Sequence, residues 1–173
     1  MKIRIAAALV CAGAAGLFAL HAQQTPSVAA SAKRAYMGIK NNFIKAAEKM
    51  PEENYSFKPV DAEETFGGRV AHIADSQLGT CTGMTGERKR GAAREKTAKA
   101  DLVAAIKESF DACDKAFDAL TDANALEPVA AGRGQQPRIA ALYGLIVHAN
   151  EVYGSMGVYM RLKGVVPPSS EGR

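Results

Sequence analysis

Histidine and cysteine are scarce in this chain, at three of each in 173 residues. His21 and Cys11 fall within the first 22 residues, so His72, His148, Cys81 and Cys113 are all that remain beyond them. A catalytic zinc-like centre usually takes three protein ligands, and residues 23–173 cannot supply three imidazoles. Strand signals are equally thin: β-branched runs are few, strict alternation of apolar and polar residues is missing, and alanine is abundant. These absences argue against a sheet-based fold. Net charge is small as well. The formal +4 falls to +2 once Lys2 and Arg4 are set aside, because residues 1–22 contain no acid.

The opening stretch "MKIRIAAALVCAGAAGLFALHA" has a basic start, an apolar run from Ile5 to Leu20, and the small residue Ala22 before "QQTP". That layout is a secretory signal peptide, with cleavage expected after Ala22. The apolar run is short of the roughly 20 residues that a membrane span requires, which leaves an uncleaved anchor as the alternative. Val10 stands where a lipoprotein signal needs a small residue before Cys11. The expected organisation is therefore a signal over 1–22 and one domain over 23–173, secreted or periplasmic. No stable membrane association is expected after cleavage. The domain's 151 residues suffice for a single core.

The charge of this domain concentrates in "ERKRGAAREK" at 87–96. This segment is rich in glycine and alanine and has no aromatic residue, so it reads as a solvated loop. Nucleic-acid binding is not expected, because base stacking and groove contacts need more than loose charge.

Apolar spacing predicts four helices. The first covers about 28–50, with Tyr36, Ile39, Phe43 and Ala47 along one stripe and Pro51 beyond its end. The second covers about 66–84, with Thr65 as N-cap. The third covers about 101–120, where Leu102, Ile106, Phe110, Cys113 and Phe117 share a face. The fourth covers about 137–163, with Pro137 at its start and Gly164 just past its end. No internal repeat or low-complexity tail interrupts them. Four amphipathic helices with fairly long connections predict an all-α four-helix bundle.

Cys81 and Cys113 fall on the second and third of these helices. An even pair in an exported chain suggests a disulfide between neighbouring helices, and two buried unpaired thiols are the alternative. Closing a loop of about 30 residues would contribute roughly 3 kcal/mol by chain-entropy reasoning.

His72 in "RVAHIADSQLG" and His148 in "IVHANEVYG" both fall within predicted helices. Gly68, Asp75, Ser76 and Gly79 share the face of His72; Gly144, Val152 and Ser155 share that of His148. A glycine inside a helix costs up to about 1 kcal/mol relative to alanine, so these positions imply close packing or room for a ligand. Each histidine alone reads as a packed core residue. Together, on different helices with small neighbours, they form a candidate site, to which Asp75 and Glu151 could each add an oxygen. The plainer role for both acids is a surface or supporting carboxylate.

The segments "MPEENYSFKPVDAEETFGGRVAHIADSQLGTC", "ESFDACDKAF" and "HANEVYGSMGVYMRLKGVVPPSS" resemble the DinB-like (DinB/YfiT) superfamily, especially its exported bacterial members. The likeness covers nearly all of residues 23–173. It implies a four-helix bundle in which three histidines hold a divalent ion such as zinc or nickel, one from the second helix and two from an H-x-x-x-H on the last. Residue by residue, His72 matches the first ligand and His148 the second. Val152 occupies the place of the third, and it offers no lone pair. Some relatives are transferases or isomerases that use low-molecular-weight thiols, although those thiols are cytosolic and this chain looks exported.

Two readings follow. One is a metal-dependent hydrolase or transferase with a degenerate site, in which His72 and His148 hold zinc or nickel and water or a carboxylate completes the shell. The other is a non-catalytic exported bundle that keeps the family pocket, with a small molecule or a second copy as partner. Weak or absent zinc is expected in either case, with His72 facing His148 across the bundle interior and Val152 beside them.

Overall fold

The computed structural model describes residues 27–131 and 134–172, so the expected signal over 1–22 lies outside the described residues. Four helices dominate: α1 (Val28–Lys49), α2 (Phe66–Thr85), α3 (Lys99–Asp118) and α4 (Arg138–Leu162). Their bounds lie within about two residues of those that apolar spacing predicts. Ser27 caps α1 by accepting from the Ala30 N–H at 3.0 Å. Thr65 caps α2 as expected, accepting from the Gly68 N–H at 3.0 Å. At the other end of α2, Gly86 takes a φ of +88°, the left-handed conformation that a C-terminal glycine supplies at little cost. Gly164 does the same after α4, at φ +70°. No described helix is long and apolar enough to cross a membrane.

One element departs from the expectation of a wholly helical chain. The α3–α4 connection contains a small antiparallel hairpin, β1 (Pro128–Ala131) with β2 (Gly134–Pro137), in which Val129 pairs with Gln136. Its four-residue arms are too short to show alternation, so no periodic signal precedes it.

The apolar stripes of α1 and α3 meet in an aromatic cluster. Tyr36 stacks on Phe117 with centroids 4.0 Å apart, and Phe43 lies tilted against Phe110 and Tyr153. The Tyr36 hydroxyl is buried within hydrogen-bond reach of the Phe110 carbonyl oxygen (2.7 Å) and Asp114 Oδ1 (2.8 Å). Burial first, and Asp114 second, push its ionisation far above the ordinary tyrosine range. Lys40 completes this unit with an ion pair to Asp114 at 2.5 Å.

On the other side, α2 packs most extensively on α3, where Cys81 and Cys113 are joined as a disulfide with Cα atoms 4.9 Å apart. The staple ties the second helix to the third, as the cysteine count suggests. α2 touches α4 much less, and α1 packs on both α3 and α4. The light α2–α4 seam is where the two histidines lie.

Candidate functional site

His72 sits a third of the way along α2 and His148 midway along α4, and their side chains meet. The Nε2 atoms are 2.8 Å apart and the rings are edge to face, with centroids separated by 4.9 Å at 83°. The pair is brought together as expected, but not in the bundle interior. It lies half-buried in the α2–α4 seam, and 37% of the His148 side chain is exposed. Val152, one turn beyond His148, is buried in the core at 4% exposure.

The two candidate supporting carboxylates, Asp75 and Glu151, have other partners. Asp75 accepts from the Ala93 N–H at 2.7 Å through Oδ1 and from the Arg94 N–H at 3.2 Å through Oδ2. It anchors the 87–96 loop onto α2. Gly91 belongs to the same anchor: a Cβ there would fall 2.7 Å from the Asp75 Cα, so only glycine lets the loop cross so closely. Glu151 reaches the other nitrogen of His148, with Oε2 3.4 Å from Nδ1. It can orient the ring but does not face the gap between the two Nε2 atoms. Among the described residues, no group of three or more His, Cys, Asp or Glu side chains is placed to hold a metal ion.

The loop that Asp75 anchors delivers a residue that sequence reasoning missed. Arg94 Nη2 lies 2.6 Å from His72 Nδ1, while its Nη1 pairs with Glu64 Oε1 at 3.0 Å. A guanidinium can only donate, so His72 Nδ1 must accept. The His72 proton then sits on Nε2 and is donated to His148 Nε2. That leaves the His148 proton on Nδ1, facing Glu151. The tautomers follow from the network: Arg94 donates to His72, His72 to His148, and His148 to Glu151. Burial, then the neighbouring His148 and Arg94, lowers the pKa of His72 below its ordinary value. An added proton would place two N–H groups nose to nose or set a cation against Arg94.

This donor set does not fit a tightly held divalent ion. Both Nε2 lone pairs would have to be free, and His72 would need its proton on Nδ1, where Arg94 already donates. Metal-bound histidines ordinarily turn that second nitrogen toward a carboxylate or carbonyl. The spacing disagrees too, because two nitrogens about 2.0–2.1 Å from a tetrahedral zinc ion stand about 3.3 Å apart. The observed 2.8 Å is a hydrogen-bond distance.

The sequence profile of the DinB superfamily matches residues 39–152, a span that holds all of α2 and α3 and both histidines. The chain belongs to the DinB superfamily. Two solved structures share its fold. A DinB-like protein from Bacillus cereus superposes with a TM-score of 0.67 at 19% identity, covering 79% of this chain and 93% of its own. A DinB-like protein from Bacillus subtilis gives 0.63 at 19% identity, covering 78% and 92% respectively. No curated protein sequence matches the chain. The helical bundle and the superfamily expected from the sequence are thus established. Within this DinB-superfamily bundle, Arg94 from the 87–96 loop sits against the His72 side of the histidine pair.

Proposed function

We propose that this chain is an exported DinB-superfamily protein whose histidine pair serves a small-ligand site without a tightly held metal. The observation that carries this reading is Arg94 Nη2 at 2.6 Å from His72 Nδ1. It commits the pair to an internal hydrogen bond and sets a donor-only guanidinium on the ring nitrogen that a metal-bound His72 would need to keep protonated. Export is supported by the signal-like layout of residues 1–22 and by the paired Cys81 and Cys113, since such bridges persist in oxidising compartments.

The second reading, a degenerate zinc or nickel centre on His72 and His148, is favoured by the close approach of the two Nε2 atoms from different helices. It requires Arg94 to withdraw and His72 to move its proton to Nδ1. Binding would then be weak, with water filling most of the shell.

The test is zinc per chain after dialysis against a chelator, followed by zinc titration of native, His72→Ala and Val152→His protein. The ligand reading expects no retained zinc and weak binding by the native chain. Val152→His, which restores a third imidazole, should bind zinc more tightly by a factor of ten or more. Stoichiometric zinc that survives dialysis and disappears in His72→Ala would establish the metal centre instead.

A further inference from the structure

A cavity of about 320 Å³ opens beside Arg94, between the start of α2, the chain around Tyr55 and the end of the 87–96 loop. That size is at the lower end of ligand sites, which run from roughly 300 to 1,000 Å³. The walls are mainly apolar, made by the Tyr55 ring, Ala71 and Leu102. Arg94 and Lys96 stand on its rim, and no carboxylate lines it. The two cavities on the far side of the same loop differ on this point. Both include Asp75 together with a glutamate, Glu108 in one and Glu95 in the other. Of these three cavities among the described residues, the one beside Tyr55 and Leu102 sets the loop's cations against an apolar space with no acid in its wall.

We propose that this cavity binds a small amphipathic carboxylate, with its apolar body against Tyr55, Ala71 and Leu102 and its charge on Arg94 and Lys96. The inference rests on the small-ligand reading above and names the ligand class. Arg94 uses two of its five N–H groups, toward Glu64 and His72, and keeps three for a further acceptor. A carboxylate is favoured over a phosphate because the backbone donors nearby are already engaged. The Phe66 N–H goes to the Phe57 carbonyl, the Gly67 N–H to the Tyr55 carbonyl, and the Gly68 N–H to Thr65 Oγ1. What remains is side-chain charge at the rim and apolar surface below it, which suits one charged head and a short hydrocarbon body. A carboxylate bound to the remaining Arg94 N–H groups would share the guanidinium with Glu64 and His72 and so reach the histidine pair through the arginine.

Octanoate is the probe, titrated into the purified protein and followed by amide NMR at Gly67, Gly68 and Ala71 and by calorimetry. Acetate, octan-1-ol and inorganic phosphate serve as controls. A single site is expected, with shifts centred on those three amides. Each control should bind about tenfold more weakly or not at all, because head or body is lost. Lys96→Glu, a change at an exposed rim position, should weaken octanoate about tenfold by reversing one charge. Shifts elsewhere, phosphate binding as tightly as octanoate, or no effect of Lys96→Glu would overturn the proposal. Failure of octanoate to bind at millimolar concentration would overturn it too. Running the titration on untreated and chelator-dialysed protein separates the two claims. Retained zinc overturns the metal-free reading, whereas missing octanoate shifts overturn the pocket whatever the zinc content.

Discussion

The α1–α3 seam and the α2–α4 seam hold polar groups in opposite ways. Between α1 and α3, the Tyr36 ring packs against Phe110 and Phe117, and its hydroxyl is satisfied by the Phe110 carbonyl and Asp114. Every group in that unit comes from two facing helices, and the stacked Tyr36 and Phe117 rings bury its apolar side. Between α2 and α4, the two imidazoles satisfy each other at the edge of solvent, and their outer nitrogens face Arg94 from a loop and Glu151 from a mostly exposed position. The first seam is built for stability. The second accepts lighter packing, leaving rings that can change partners at moderate cost. The cavity beside Tyr55 and Leu102 adjoins this looser seam through Arg94, which touches His72.

The largest effect that would sharpen this contrast is on the aromatic side. Phe110→Ala removes a fully buried ring that contacts both Tyr36 and Phe43, and should lower unfolding free energy by about 3–5 kcal/mol. His148→Ala, in the half-buried seam, should cost far less. Denaturant melts of the two variants measure the difference, and equal losses would erase the distinction between the seams.

Next in size is the staple. Opening the Cys81–Cys113 bridge, which closes a separation of 32 residues, should cost about 3–4 kcal/mol by loop entropy. Melts with and without reductant check this. Two free thiols in denatured, unreduced protein would show that the bridge does not form.

Smaller still is Gly91→Ala. Its methyl group meets the Asp75 backbone, so the loop must lift from α2 at a cost of about 1–3 kcal/mol. The Arg94–His72 contact should loosen with it. Amide exchange at Ala93 and Arg94, whose N–H groups Asp75 holds, would rise in the variant and leave α1 and α3 unchanged.

The smallest effect is on pH dependence. The His72 pKa is lowered in the folded state, so the unfolded chain takes up the proton first. Stability is full above the unfolded value of about 6.5, falls as pH drops from there toward the folded value, and then levels. His72→Gln should flatten that slope between pH 7.5 and 5.5 in urea midpoints. A slope unchanged by the substitution would remove His72 from the account.

The helices were readable because their apolar residues recur at helical spacing. Tyr36, Ile39 and Phe43 mark α1, and Leu102, Ile106 and Phe110 mark α3. Thr65 as a cap and the Cys81–Cys113 pairing were also visible, each resting on a residue type with few alternative uses. The two histidines could be placed on facing helices, since the family resemblance aligns both. The partner of His72 was out of reach. Arg94 belongs to a stretch that reads as solvated charge, and its position depends on Asp75 accepting two N–H groups about 18 residues further along. Neither contact leaves a period in the sequence. Helical spacing makes Asp75 a candidate ligand by placing it near His72, and spacing carries no record of which N–H groups a loop will bring. The β1–β2 hairpin leaves no sequence signal because arms of four residues are too short to alternate.

Two-bond proton–nitrogen correlation NMR of the imidazole rings, on untreated protein at pH 7.5, tests the central claim most directly. The account predicts His72 with its proton on Nε2 and His148 with its proton on Nδ1, unchanged by addition of a chelator. Both rings carrying the proton on Nδ1 in untreated protein, and reverting on chelation, would mean that both Nε2 atoms hold a metal and that Arg94 does not set the state of the pair.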